Sequence, residues 1–230
     1  VRAKQHEGAQ ALMLEASASA DALRDPAAWA PMRVDYARMA MRRGDWAQAE
    51  ALARPHFLPA DNRHYADLEW LAGFAALKQG AADRALAHFR HLETVVGSQI
   101  STSRAFYWQG RAHDALGDQQ AADAAYTQAA AMPGTYYGQL AAERIGATMP
   151  ADYATPGPLP DWRRSPLSDS SVFQAGLWLL ATGRPDEAQR FFLHLSETAD
   201  PQDTLRMARL MYDADMPWHA LRLSKRAADK

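Results

Sequence analysis

The chain has no cysteine, which removes disulfide frameworks and thiolate metal sites from consideration. That absence does not fix a compartment, since a chain without cysteine suits a reducing cytosol and an oxidising periplasm equally well. Long apolar runs are missing too. None approaches the roughly 18 to 20 residues that span a bilayer, so no membrane span is expected. The opening VRAKQHEGAQALMLEA also lacks the apolar centre of a signal peptide. Charge of one sign is not in excess: 25 basic residues stand against 27 acidic ones, with a formal net charge of -2 and no block of like charge. Nucleic acid is therefore not an expected partner. The longest run of valine or isoleucine is Val95–Val96, too short to support a parallel sheet. Strong chemical signatures are equally absent. There is no glycine-rich dinucleotide fingerprint, no phosphate loop, no HExxH and no GxSxG, which sets aside the common nucleotide-binding, zinc-protease and serine-hydrolase readings.

What is present is helical. The 230 residues are 48% apolar, enough for a sizeable core, and 13 glycines and 13 prolines punctuate sequence rich in alanine and leucine. Three glycine pairs recur at a separation of seven: Gly73 with Gly80, Gly110 with Gly117, and Gly176 with Gly183. Five positions after each second glycine stands Ala85, Ala122 or Ala188, and nine positions after it an aromatic, Phe89, Tyr126 or Phe192. A fourth unit (Ala37, Gly44, Ala49) and a fifth (Ala208, Asp215, Ala220) keep the spacing without the aromatic.

Helix geometry gives this pattern a physical reading. Glycine inside a helix costs about 1 kcal/mol relative to alanine, so Gly73, Gly110 and Gly176 are expected where a neighbouring helix crosses too closely for a side chain. The second glycine of each pair suits the left-handed position that ends a helix. Alanine and aromatic, four apart, share one face of the following helix and fill the groove made by the first. Turn positions 44, 80 and 117 are 36 and 37 residues apart, close to the roughly 34 of a tetratricopeptide unit. The expected fold is all-α, a right-handed superhelix of stacked helix-turn-helix repeats.

Between Gly117 and Gly183 the spacing grows to 66 residues. The extra length holds YYGQLAAERIG and a segment broken by Pro150, Pro156, Pro158, Pro160 and Pro166, which cannot be one helix. The expected organisation is an N-terminal repeat array over 1–146, an extended proline-rich linker over 147–167, and C-terminal helical pairs over 168–230. A chain that opens on Val1 reads as a piece of a longer protein.

Candidate chemistry is sparse. His88 and His91, at i and i+3, have ligand spacing, but no acidic or third imidazole partner is evident beside them. The pair reads as a solvated helix face, and no metal or cofactor is expected. Asp186 and Glu187 follow Pro185 in a helix first turn, where acids favour the dipole. Phe106, Tyr107 and Trp108 read as packing between the helices of a repeat. Tyr136 and Tyr137 follow a Pro-Gly break, with Thr135 as N-cap of a helix running through Gln139, Leu140 and Ile145. Adjacent helical residues point about 100° apart, so one tyrosine packs inward while the other faces outward. Gln139 and Glu143 are the local acceptors for a buried tyrosine hydroxyl.

Two of these elements together resemble a known family. SRAFYWQGRAHDALGD (residues 103–118), followed by an alanine-rich helix and then by PGTYYGQLAAERIG (residues 133–146), resembles the stretch that precedes the catalytic domain in soluble lytic murein transglycosylases. The close likeness covers about residues 98–146, and MYDADMPWHALRLSKRAADK is similar to the helix leading into that domain. The resemblance implies a parent enzyme that cleaves peptidoglycan between N-acetylmuramic acid and N-acetylglucosamine, closing the product to a 1,6-anhydro sugar. One glutamic acid in a Glu-Ser motif of a lysozyme-like domain does this chemistry, with a Gly-Leu-Met-Gln motif downstream. Neither motif occurs here: no glutamate precedes serine, and Gly176-Leu177 continues as Trp178-Leu179. No catalytic residue is therefore expected. The resemblance implies an accessory α-superhelical domain in the periplasm, partnered by glycan strands and the lysozyme-like domain. Arg104, Arg111, Tyr136, Tyr137 and Gln139 are the candidate contact residues. The alternative is a free-standing tetratricopeptide-like scaffold that holds a protein or peptide in its groove.

Overall fold

The computed structural model describes residues 2–148 and 157–228. Among the described residues every regular element is helical and no strand occurs, as the all-α reading requires. The chain forms two compact units, Val1–Ala154 and Thr155–Lys230. The first carries α1 (Arg2–Ala16), α2 (Ala20–Leu23), α3 (Pro26–Arg42), α4 (Trp46–Ala53), α5 (Tyr65–Lys78), α6 (Ala82–Val95), α7 (Gln99–Leu116), α8 (Gln119–Ala130) and α9 (Tyr136–Arg144). The second carries 3-10 turns at Trp162–Arg164 and Pro166–Asp169, then α10 (Ser171–Ala181), α11 (Pro185–Leu195), α12 (Pro201–Asp213) and α13 (Pro217–Ala228). In the first unit each helix from α3 to α9 packs on the next in the chain; in the second, α10 pairs with α11 and α12 with α13.

Five of the helix pairs share one turn. Gly44, Gly80, Gly117 and Gly183 have φ between 74 and 77°, and Asp215 takes the equivalent place at 59°. The N–H of the following residue donates to the carbonyl five back in every case: Asp45 to Ala40, Ala81 to Ala76, Asp118 to His113, Arg184 to Leu179 and Met216 to Met211, all at 2.9 to 3.0 Å. This is the Schellman arrangement, which satisfies carbonyls that a helix end would leave without partners. Asp45 and Asp118 then cap the next helix, accepting from Gln48 and Ala121.

The first glycine of each pair does what the spacing predicts. A Cβ at Gly73, Gly110 or Gly176 would lie 2.6 Å from Cε1 of Phe89, Tyr126 or Phe192, respectively. Those rings are buried, as are Ala85, Ala122 and Ala188 one turn before them. Each aromatic thus occupies the space the missing methyl leaves. Phe89 anchors the core between α5 and α6, while Phe192 joins Phe173, Met207 and Met211 in the second unit.

An arginine lies inside the first unit. Arg33 on α3 is fully buried. It donates to the Leu52 carbonyl at 2.6 Å and to the Ser17 hydroxyl, joining α3 to α4 and to the residue that follows α1. Burial lowers its pKa to about 10.

The segment read as an extended linker over 147–167 differs from that expectation at its C-terminal end. Residues 149–156, with Pro150 and Pro156, lie outside the described residues. From Trp162 onward the chain is built into the second unit, and Trp162 and Leu167 pack on its core. Ser165 is buried, accepts from the Leu167 N–H, and donates to the buried Asp203 on α12. Pro166 starts a turn here, because a proline without an N–H is tolerated in a first turn.

The glycine–aromatic contact predicts a change of sign in a mutant cycle. Gly73→Ala gains helix propensity of about 1 kcal/mol, yet forces the Phe89 ring aside at a cost of about 1–3 kcal/mol. In the wild-type background it is expected to lower the urea midpoint. In a Phe89→Leu background, where the crowding ring atoms are gone, the same substitution is expected to leave the midpoint unchanged or raise it. Destabilisation of equal size in both backgrounds would mean that the ring is not what excludes the methyl.

Candidate functional site

Arg104, Trp108 and Arg111 lie at i, i+4 and i+7 on α7 and so share one face. Trp108 is the hub of an aromatic cluster. Its ring centroid is 5.0 Å from Phe74, 5.9 Å from Phe89, 6.0 Å from Trp70 and 6.4 Å from Tyr137. Cations sit over these rings. The Arg104 guanidinium is 5.7 Å from Trp70 and that of Arg111 is 5.8 Å from Trp108, while Lys78 Nζ lies 5.5 Å from Phe74. Such placements attract through the ring quadrupole and hold the guanidinium plane in a fixed place. The indole nitrogens of Trp70 and Trp108 and the Nε of Arg104 are buried without a hydrogen-bond partner in the protein, each a donor whose desolvation costs about 1–3 kcal/mol.

The two sequence elements on which the family resemblance rests meet in space. The Thr135 hydroxyl lies 2.8 Å from both Ser103 Oγ and the Met132 carbonyl, and it accepts from the Gly138 N–H as N-cap of α9. Gly138 is needed there, since a Cβ would sit 2.1 Å from the Met132 oxygen. Asp114, near the end of α7, pairs with Arg144 of α9 at 3.4 Å and accepts from the Tyr126 hydroxyl at 2.6 Å. Burial and that hydrogen bond push the Tyr126 hydroxyl well above the ordinary tyrosine value. Tyr137 packs on Tyr107 at 5.3 Å.

Of the residues singled out from sequence, Arg104, Arg111 and Tyr137 therefore belong to one aromatic and cationic surface of α5, α7 and α9. Tyr137 packs inward while Tyr136 is 70% exposed, their rings 5.2 Å apart. Gln139 does not serve Tyr137: its amide donates to the Pro133 carbonyl at 3.2 Å and closes the turn before α9.

A second cluster was missed by the sequence reading. His88 and His91 do have an acidic partner, Glu69, which α5 carries to the same place from the neighbouring helix. Glu69 Oε2 is 2.6 Å from His88 Nδ1 and 3.5 Å from His91 Nδ1. The other oxygen, Oε1, is 3.0 Å from His56 Nε2. The Leu58 N–H donates to His56 Nδ1 at 3.1 Å. A backbone N–H can only donate, so the His56 proton resides on Nε2 and is given to Glu69. Glu69 and His56 are both buried. Burial alone would raise the Glu69 pKa, but hydrogen bonds from His56 and His88 outweigh it and hold the carboxyl at about 2. The reading of His88 as part of a solvated face is thus corrected, whereas His91 does remain largely exposed.

With this geometry in hand, comparison with known proteins adds no assignment: no family model matches the chain, and no curated protein does.

Two outcomes follow. Thr135→Ala removes the α9 cap and the contact with Ser103, and is expected to destabilise the first unit by about 1–2 kcal/mol in urea titration; a loss under a few tenths would show that the cap carries little. Glu69 has a folded pKa below its unfolded value of about 4.3, so its contribution is present above that value and is lost as pH falls toward 2. In the presence of a chelator, the stability lost between about pH 5 and pH 2 is expected to be smaller for Glu69→Gln than for wild type. Parallel pH profiles would refute the assignment.

Proposed function

We propose that this chain is the non-catalytic α-superhelical part of a soluble lytic transglycosylase of the cell wall. In this reading its helix pairs stack into a right-handed superhelix in the periplasm. Chiefly supporting it is the joining of residues 103–118 to residues 133–146. Ser103 meets Thr135, Asp114 meets Arg144, and Tyr107 meets Tyr137, so the two elements that carry the resemblance pack as one structural unit. A generic repeat needs only its small residues and its turn; the Thr135 cap, the Gly138 approach and the tyrosine pair go beyond that.

Within this function, the surface of Arg104, Arg111, Tyr136 and Tyr137 is the contact region for glycan strands or for the lysozyme-like domain. Aromatic faces flanked by guanidinium groups suit pyranose rings that carry carboxylates, the first by stacking and the second by charge-assisted hydrogen bonds. Exposed Tyr212, Trp218 and Leu221 on α12 and α13 are further apolar surface suited to a domain contact. In this reading the glycan chemistry belongs to the lysozyme-like domain of the parent enzyme.

Purified chain incubated with peptidoglycan is expected to release no 1,6-anhydro product. It is expected to co-sediment with isolated glycan strands, and Tyr136→Ala, Arg104→Ala and Arg111→Ala are each expected to weaken that binding by about three- to tenfold with helicity unchanged. Anhydro product from the chain alone would overturn the non-catalytic assignment. Capture of a peptide or protein on the same surface, with no glycan binding, would replace the reading with that of a scaffold.

A further inference from the structure

We propose that Glu69 Oε2, His88 Nδ1 and His91 Nδ1 form a binding site for a divalent ion of the zinc type, with His56 as the positioning residue behind the carboxylate. Each part of that statement has a geometric basis independent of the reading as a cell-wall enzyme. The three ligand atoms lie within 4.8 Å of one another. Ligands around a tetrahedral zinc ion, at bond lengths of about 2.0–2.2 Å, stand about 3.3 Å apart. Glu69 Oε2 is 2.6 Å from one imidazole nitrogen and 3.5 Å from the other, so the two spacings fall on either side of that value. Rotation of the two imidazole rings brings the nitrogens to ligand spacing around a common ion.

The carboxylate is prepared for this role. His56 occupies Oε1, and His56 is itself fixed by the Leu58 N–H and by edge contact with Tyr65 at 5.0 Å. Only Oε2 is turned toward the histidine pair. An outer hydrogen bond that orients a ligating carboxylate is a regular part of protein metal sites. Access is graded in a useful way: the side chains of Glu69 and His88 are 6% and 12% exposed, and that of His91 is 59% exposed. An ion enters from the His91 side and takes the place of the proton that His88 Nδ1 donates to Glu69, the ring keeping its proton on Nε2 and any excess proton passing to solvent, and a water fills the fourth position.

The donor set selects the ion. Two imidazoles and one carboxylate suit zinc and its neighbours, whereas calcium and magnesium require oxygen ligands. Because Glu69 lies on α5 and both histidines on α6, the bound ion is a clip between the two helices of one pair.

The test is titration of the tag-free, metal-free chain with ZnCl2 by calorimetry, together with CoCl2 and visible absorption. One ion per chain is expected, with the intense visible bands of four-coordinate cobalt. His91→Ala, at an exposed position that leaves the helix intact, and Glu69→Gln are each expected to weaken binding by more than about tenfold. His56→Gln keeps all three ligands and is expected to weaken it by about ten- to a hundredfold. Circular dichroism verifies helicity for each variant. No saturable binding up to about 0.1 mM zinc would overturn the proposal. So would wild-type affinity in a folded His91→Ala variant, since the ion would then sit on other histidines.

Discussion

The contact between a glycine on one helix and an aromatic ring on the next is the constraint from which the rest of the structure follows. Where Cβ is absent at Gly73, Gly110 and Gly176, the ring sixteen residues later approaches to 2.6 Å from the empty position, closer than a methyl group would allow. That approach fixes the spacing of the two helices and the register between them. Register then decides everything else that the pair carries. One turn before Gly73 stands Glu69, and on either side of Phe89 stand His88 and His91, so the close crossing also assembles the buried carboxylate cluster. One turn after Gly110 stands Asp114, which receives the hydroxyl of the same Tyr126 whose ring fills the gap.

This dependence explains what could be read from the amino-acid order alone. The glycine, alanine and aromatic positions were legible because they repeat at constant separation, and each has one physical role that a helix pair demands. The left-handed turns were legible for glycine, and Asp215 shows that the same turn persists where another residue tolerates a positive φ. Thr135 was legible as a cap because a break precedes it and a helical pattern follows.

The misses are relations between helices. Glu69 is nineteen residues from His88, a separation that means nothing until the contact between Gly73 and Phe89 sets the register; with that contact in mind, Glu69 one turn upstream is the signal. Nothing local marks Arg33 as an arginine that will be buried with its two terminal nitrogens donating to a carbonyl and a hydroxyl. Gln139 is a local exception: its amide donates to the Pro133 carbonyl six residues back, in the turn before α9. Ser165 is of the same kind: its acceptor Asp203 lies thirty-eight residues away, so nothing local in a proline-rich stretch marks it as buried.

The short span of the glycine–aromatic contacts also shapes how such a chain forms and fails. Contacts that join residues sixteen apart belong to a low contact order, so each pair can assemble from its own sequence with little loop-closure entropy. Within the first unit, helices that pack chiefly on their neighbours in the chain can open locally before the whole unit does. The bridge from His56 through Glu69 to His88 and His91 runs the other way, tying the segment before α5 to both helices of the pair. Its mechanical effect is that of a cross-brace: it adds a second tie, through side chains, to the α5–α6 pair that the glycine–aromatic contact already holds.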